Sequence, residues 1–157
     1  MTDPTYYYED FQPGREFSYQ PRPVGAEEII AFAREFDPQD MHLSEEGGRN
    51  SILGGLAASG WHSCSLLMRM LFDAVLKDSA AEGAPGLDMV EWRRPVLAGD
   101  TLSGLSRVLD RRPLKSRPGL GLVRFRHEVY NQNGELLLVL ENPTIFRMRA
   151  KAEEVAA

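Results

Sequence analysis

Apolar residues between Ala26 and Phe36 recur at helical spacing. Ile29, Phe32, Ala33 and Phe36 form one face, which predicts an amphipathic helix. Glu27 and Glu28 occupy its first turn, where the helix dipole favours negative charge. Pro38 biases Asp37 away from helical dihedrals, so the helix should end there. A glycine-bearing loop, Gly47 to Gly60, follows. Next comes a second helix, Ser59 to Leu76, apolar on most sides through Leu66, Leu67, Met68, Met70, Leu71, Phe72, Val75 and Leu76. So broad an apolar surface predicts a helix surrounded by other structure. Ala80 to Gly86 reads as a loop.

The pattern then changes to strands. Leu87 to Val96 is the first and Asp100 to Arg112 the second. Leu120 to Asn131 alternates, with Val123, Phe125 and Val129 on one side and Arg124, Arg126 and Glu128 on the other. Asn131-Gln132-Asn133-Gly134-Glu135 is a hairpin signal, and Glu135 to Arg149 is apolar enough for a central strand. Arg15 to Pro23 adds a further strand near the start. One buried helix and a run of mostly antiparallel strands predict an α+β fold, its sheet wrapped around that helix. Residues 1–150 read as a single domain and 151–157 as a short tail.

Composition narrows the class. The chain has 157 residues, 43% hydrophobic and 26% charged, as an ordinary globular protein does. A formal net charge of -5 argues against nucleic acid as the main partner. The first residues lack a basic segment followed by an apolar run, so no secretory signal is expected. Arg69 and Asp73 interrupt the most apolar helix. A membrane span needs roughly 18 or more apolar residues, so none is expected. The single cysteine, Cys64, excludes an intrachain disulfide and suits a reducing cytoplasm. His42, His62 and His127 lack metal-ligand spacing, and no metal site is expected.

Asp37 and His42 lie five positions apart in FDPQDMHLSEE, with Pro38 between them. On a regular helix, five steps of about 100° would place them roughly 140° apart. The turn that Pro38 favours makes a convergent carboxylate–imidazole pair possible. An aspartate before proline is also an ordinary turn former, so the residues alone leave both readings open. Arg111, Arg112, Lys115 and Arg117 make RRPLKSRPG the most basic loop, suited to a phosphate clamp or to a solvated hairpin tip.

Four stretches occur in order: EDFQPGREF, DPQDMH, ILGGLAASGWHS and RRPVLAGDTL. Together, from about Tyr8 to Arg149, the chain resembles the MaoC-like acyl dehydratases, close to the (R)-specific enoyl-CoA hydratases, which have the hot-dog fold. The resemblance implies hydration of enoyl thioesters or dehydration of 3-hydroxyacyl thioesters. It implies no metal or redox cofactor, with coenzyme A entering only as part of the substrate. It also implies a homodimer or an assembly of dimers. Asp37 and His42 fall on the aspartate and histidine of the hydratase motif, spacing kept. Gln39 stands where the motif has asparagine, and Asp40, where it has proline, adds a negative charge beside the site.

In such a reaction a base takes a proton from water, a proton reaches the α-carbon, and the thioester oxygen needs donors. Aspartate and histidine suit the proton work. The start of the second helix offers free N–H groups, and the resemblance makes the backbone of Gly60 the oxyanion donor. The resemblance also brings Ser65 near the water or the histidine. Gly54 and Gly55 suit either a close approach to an acyl chain or plain turn chemistry, and Trp61 either packs or lines an acyl tunnel. Arg111, Lys115 and Arg117 would hold the phosphate of acyl-CoA or an acyl-carrier-protein thioester. The changes at Gln39 and Asp40 keep two rivals open: a non-catalytic acyl-thioester-binding subunit and a hot-dog thioesterase.

Overall fold

The computed structural model describes residues 2–150, so the tail assigned to 151–157 lies outside the described residues. Six strands form one antiparallel sheet: β1 (Glu16–Pro23), β2 (Ala81–Gly83), β3 (Met89–Trp92), β4 (Thr101–Pro113), β5 (Leu120–Tyr130) and β6 (Leu136–Arg147). The order is β1–β4–β5–β6–β2, and β3 pairs with the other half of the same edge of β6. The alternation around Val123 sets the inner face. Val123, Phe125, His127 and Val129 of β5 are buried. Leu138, Leu140, Asn142, Thr144 and Phe146 of β6 are buried on the same side. β1 carries Pro21 and Pro23 on an edge, where a missing N–H leaves no ladder bond broken.

Three helices accompany the sheet: α1 (Ala26–Phe36), α2 (Glu45–Arg49) and α3 (Gly60–Ala74). α3 buries Leu66, Leu67, Met70 and Leu71 in a core shared with Phe11, Phe125 and Phe146. This is the α+β, hot-dog arrangement, an antiparallel sheet packed on a central apolar helix. Among the described residues no helix is long and apolar enough to cross a membrane.

Several boundaries differ from the sequence expectation, each for a local reason. The stretch read as a loop at Ala80 to Gly86 contains β2, because the far half of the β6 edge supplies it with backbone partners. The strand expected over ten residues is only β3. After Trp92, the N–H groups of Arg93 and Arg94 both turn onto the Leu137 carbonyl, at 2.8 and 3.2 Å, and Pro95 has no N–H to continue a ladder. The expected loop from Gly47 overlaps α2, whose start is capped by Ser44 Oγ accepting from the Gly47 N–H at 2.9 Å. Phe36 is exposed, because the chain leaves the helix immediately after it. α3 is not surrounded. Trp61, Ser65, Met68 and Phe72, spaced along one stripe, stay exposed, since the sheet covers only the opposite face.

Candidate functional site

α1 ends as expected. Asp37 has non-helical dihedrals, φ -153° and ψ 70°, while its N–H still bonds the Ala33 carbonyl. A single 3-10 turn, Asp40–His42, then swings the chain back. That reversal brings His42 Nε2 to 3.4 Å from Asp37 Oδ2. The imidazole is buried, and its Nδ1 lies 2.6 Å from the Ala57 carbonyl. A carbonyl only accepts, so Nδ1 carries the hydrogen and Nε2 is the atom turned to the carboxylate.

Asp37 is held from both sides. Ser59 Oγ donates to Oδ2 at 2.7 Å, and the Gln39 side-chain amide donates to Oδ1 at 2.8 Å. The Ser59 bond first and then the Gln39 bond hold this carboxyl below the usual carboxylate range; burial opposes them, and the nearby His42 adds a smaller lowering. Gln39, the departure from the hydratase motif, therefore still reaches the carboxylate: its extra methylene does not carry the amide away. Asp40, expected to add charge beside the site, is exposed and does not line the cavity.

The pair opens onto a cavity of about 450 Å³. Asp37, Gln39, His42 and Gly60 form its polar end, and Leu53, Ala58, Trp61, Trp92 and Pro95 give apolar wall. Arg93 and Arg94, with half-exposed to exposed side chains, complete the rim. Gly60 is the first residue of α3, where a backbone N–H has no helical partner. Its absent side chain matters. A Cβ there would lie 2.8 Å from the Trp92 ring, whose Nε1–H donates to the Gly60 carbonyl at 2.9 Å. Trp92 in turn meets Trp61 edge-on, centroids 5.6 Å apart.

Thus the structure brings Asp37, His42, Gly60 and Trp61 to one cavity. It does not bring Ser65 there. That hydroxyl is exposed and donates to the Trp61 carbonyl one turn back, at 2.9 Å. The serine that meets the pair is Ser59, six residues earlier, which is fully buried and bonds Asp37 from behind the cavity lining. Gly54 is exposed at φ +80°, a turn position, and Gly55 packs by Glu45 and Leu97, so the loop offers Leu53 to the cavity instead. The basic loop is also elsewhere. Leu120, beside it, pairs with Arg147, whereas Trp92 pairs with Leu138, so nine residues of β6, about 30 Å, separate the two regions. Arg111 is spent on Tyr8, donating to its carbonyl at 2.8 Å and lying over its ring, while Lys115 and Arg117 are exposed. The signals for Ser59, Trp92, Arg93 and Arg94 lay inside SGW and WRRP. Their roles depend on contacts across the fold that spacing does not encode.

Comparison with known proteins agrees with this fold. The model of the MaoC like domain matches residues 10–129, a span containing every cavity residue. The MaoC-like dehydratase from Rhodospirillum rubrum is 36% identical, with a TM-score of 0.83, over 93% of this chain and 99% of that one. The uncharacterized protein YdeM of Bacillus subtilis (strain 168) is 26% identical over 139 residues, 85% of this chain and 97% of that protein. The R-hydratase PhaJ1 from Pseudomonas aeruginosa shares the fold, with a TM-score of 0.70 at 19% identity, over 92% of this chain and 91% of that one.

Proposed function

We propose that this chain, which belongs to the MaoC-like domain family, adds or removes water at the double bond of an enoyl thioester. The observation that carries this reading is the pair of facing acceptors, Asp37 Oδ2 and His42 Nε2, on the cavity that also contains Gly60. With Nδ1 donating to Ala57, neutral His42 offers a lone pair at Nε2. Ionised Asp37 also only accepts. Two acceptors sharing one small volume select a molecule that donates twice, and water does so. A water held in this way presents its own lone pair to the β-carbon.

As the C–O bond forms, Asp37 takes one proton from the water and His42 orients it and shares the transfer. The electron pair of the double bond moves toward the thioester, whose oxygen gains enolate charge. The Gly60 N–H, at the positive end of α3, donates to that oxygen. The proton held by the pair then reaches the α-carbon, so the net change is addition of one water. Dehydration runs the same steps in reverse. Coenzyme A or a carrier-protein arm is part of the substrate here. The lone Cys64 supports a reducing compartment such as the cytoplasm.

Hydration of crotonyl-CoA, followed as loss of enoyl absorbance, is the direct test. Asp37→Asn keeps a Ser59 acceptor but loses the base, and should lower turnover by roughly 10²–10⁴-fold with little change in melting temperature. Full activity in that variant would refute the role given to Asp37. Thioester binding without turnover across short, long and branched chains would favour a non-catalytic binder, and free thiol released without hydration would favour a thioesterase.

A further inference from the structure

Two cavity residues have no part in the water chemistry. Arg93 and Arg94 line the same space as Asp37 and His42, in a chain whose formal net charge is -5. We infer that they form an anion-recognition pair at the rim, which takes a phosphate or carboxylate oxygen group carried by the substrate. This rests on the thioester reading of the cavity and names the feature of the substrate that the rim selects.

The backbone fixes both arginines at adjacent positions on the cavity, and Arg94, paired with Glu135, also lines the neighbouring cavity. Consecutive N–H groups of Arg93 and Arg94 share the Leu137 carbonyl, and Pro95 restricts the chain after them. Each arginine has a carboxylate neighbour, Arg93 with Glu91 at 3.0 Å and Arg94 with Glu135 at 3.3 Å. All four side chains are at least 41% exposed, and ion pairs so solvated contribute little. They leave both guanidinium groups open to exchange for a stronger ligand. A phosphate or carboxylate between two arginines gains several charge-assisted hydrogen bonds, often bidentate, which a single exposed carboxylate cannot match. Among the described residues, Arg93 and Arg94 are the only cationic side chains that line this cavity, and the Gly60 N–H is given to the thioester oxygen. The Asp37 carboxylate repels a second anion beside it, so Arg93 and Arg94 are the place for one.

The two tryptophans of the chain, Trp61 and Trp92, both line this cavity, so their fluorescence reports occupancy without turnover. The full chain is titrated with three probes: coenzyme A, pantetheine, which lacks the phosphates, and succinyl-pantetheine, whose carboxylate rides on the acyl group. One anionic probe is expected to bind about tenfold or more tighter than pantetheine. The double variant Arg93→Gln, Arg94→Gln should bring that probe to within about twofold of pantetheine, with pantetheine itself unchanged. Loss in the coenzyme A arm identifies a carrier phosphate as the anion, and loss in the succinyl arm identifies an acyl carboxylate. Glu91→Gln with Glu135→Gln, which frees both arginines, should tighten the anionic probe and guards against misreading a damaged fold. The inference is overturned if the wild type does not distinguish anionic from neutral probes, or if the arginine variant keeps the distinction. Arginine-dependent binding without hydration would instead sink the proposed reaction and leave the rim assignment standing.

Discussion

Asp37 accepts from Ser59 and Gln39 while facing His42, and that arrangement sets its chemistry. Donors to a carboxylate stabilise the ionised form, so this base stays charged well below neutral pH. Removing the largest contributor should move the group upward. Ser59→Ala is expected to shift the acid limb of the pH–rate profile to higher pH, because Asp37 must be ionised to accept a proton. The lost hydrogen bond should also lower turnover about tenfold. An acid limb identical to that of the wild type would show that Ser59 does not tune Asp37. The linked stability has the sign of any depressed carboxyl. It is present above the unfolded value and is lost as pH falls through the lower folded value. At this scale, Asp37 and His42 were legible from spacing and from the proline between them. Ser59 was not. Its hydroxyl meets Asp37 only because α3 begins beside the end of α1, 22 residues later in sequence.

Neighbouring strands also organise a second polar group, inside the core. Tyr19 of β1 donates to Ser106 Oγ of β4 at 2.5 Å, and Ser106 donates to Nδ1 of His127 on β5 at 2.7 Å. His127 Nε2–H donates to Asn142 Oδ1 of β6 at 2.8 Å. The amide oxygen only accepts, so Nε2 carries the hydrogen. That bond by itself favours the charged ring; burial outweighs it and keeps His127 neutral, which leaves Nδ1 to accept from Ser106. Burial pushes its pKa down to about 4, against about 6.5 for a free imidazole. Between those values the unfolded chain binds a proton that the folded chain refuses. Stability should therefore fall as pH drops from above 6.5 toward 4 and level off below. The contribution is about 2 kcal/mol between pH 8 and pH 5. Denaturant unfolding at the two pH values, in the wild type and in His127→Gln, isolates it as the slope that the variant lacks. Equal slopes would show that His127 is not the group responsible. His62, whose pKa burial also lowers, acts in the same direction and is common to both proteins. Alternation placed His127 on a strand face, but the partners that make its burial tolerable come from three other strands.

The whole molecule shows one face that a single chain does not cover. Trp61, Met68 and Phe72 of α3 are 60%, 51% and 46% exposed, and Trp92 of β3 abuts Trp61. Among the described residues β3 pairs on one side only, with β6. An open strand edge beside an apolar helix stripe supports the expected homodimer. At micromolar concentration the wild type should sediment as a dimer and Phe72→Asp as a monomer or a weakened dimer. In an isolated chain so exposed a substitution would change stability by only about 0.5 kcal/mol. A wild type that is monomeric at that concentration would remove the support this face gives to the dimer.

Local sequence was enough for the elements whose causes are local. The helical period of α1, its stop before Pro38, the alternation of β5 and the Asn-Gly hairpin each follow from a few adjacent residues. The motif order was enough for the family. Tertiary structure decided what depends on distant partners: that β6 has room for β2, that α3 is covered on one face, and that Ser59 rather than Ser65 reaches Asp37. It also decided that the arginines at the cavity are Arg93 and Arg94, while Arg111 is held by Tyr8 at the other end of the sheet. The physical reason is the same in each case. A residue's type fixes what its side chain can donate, accept or bury, and the chain's long-range packing alone fixes which neighbour is there to receive it.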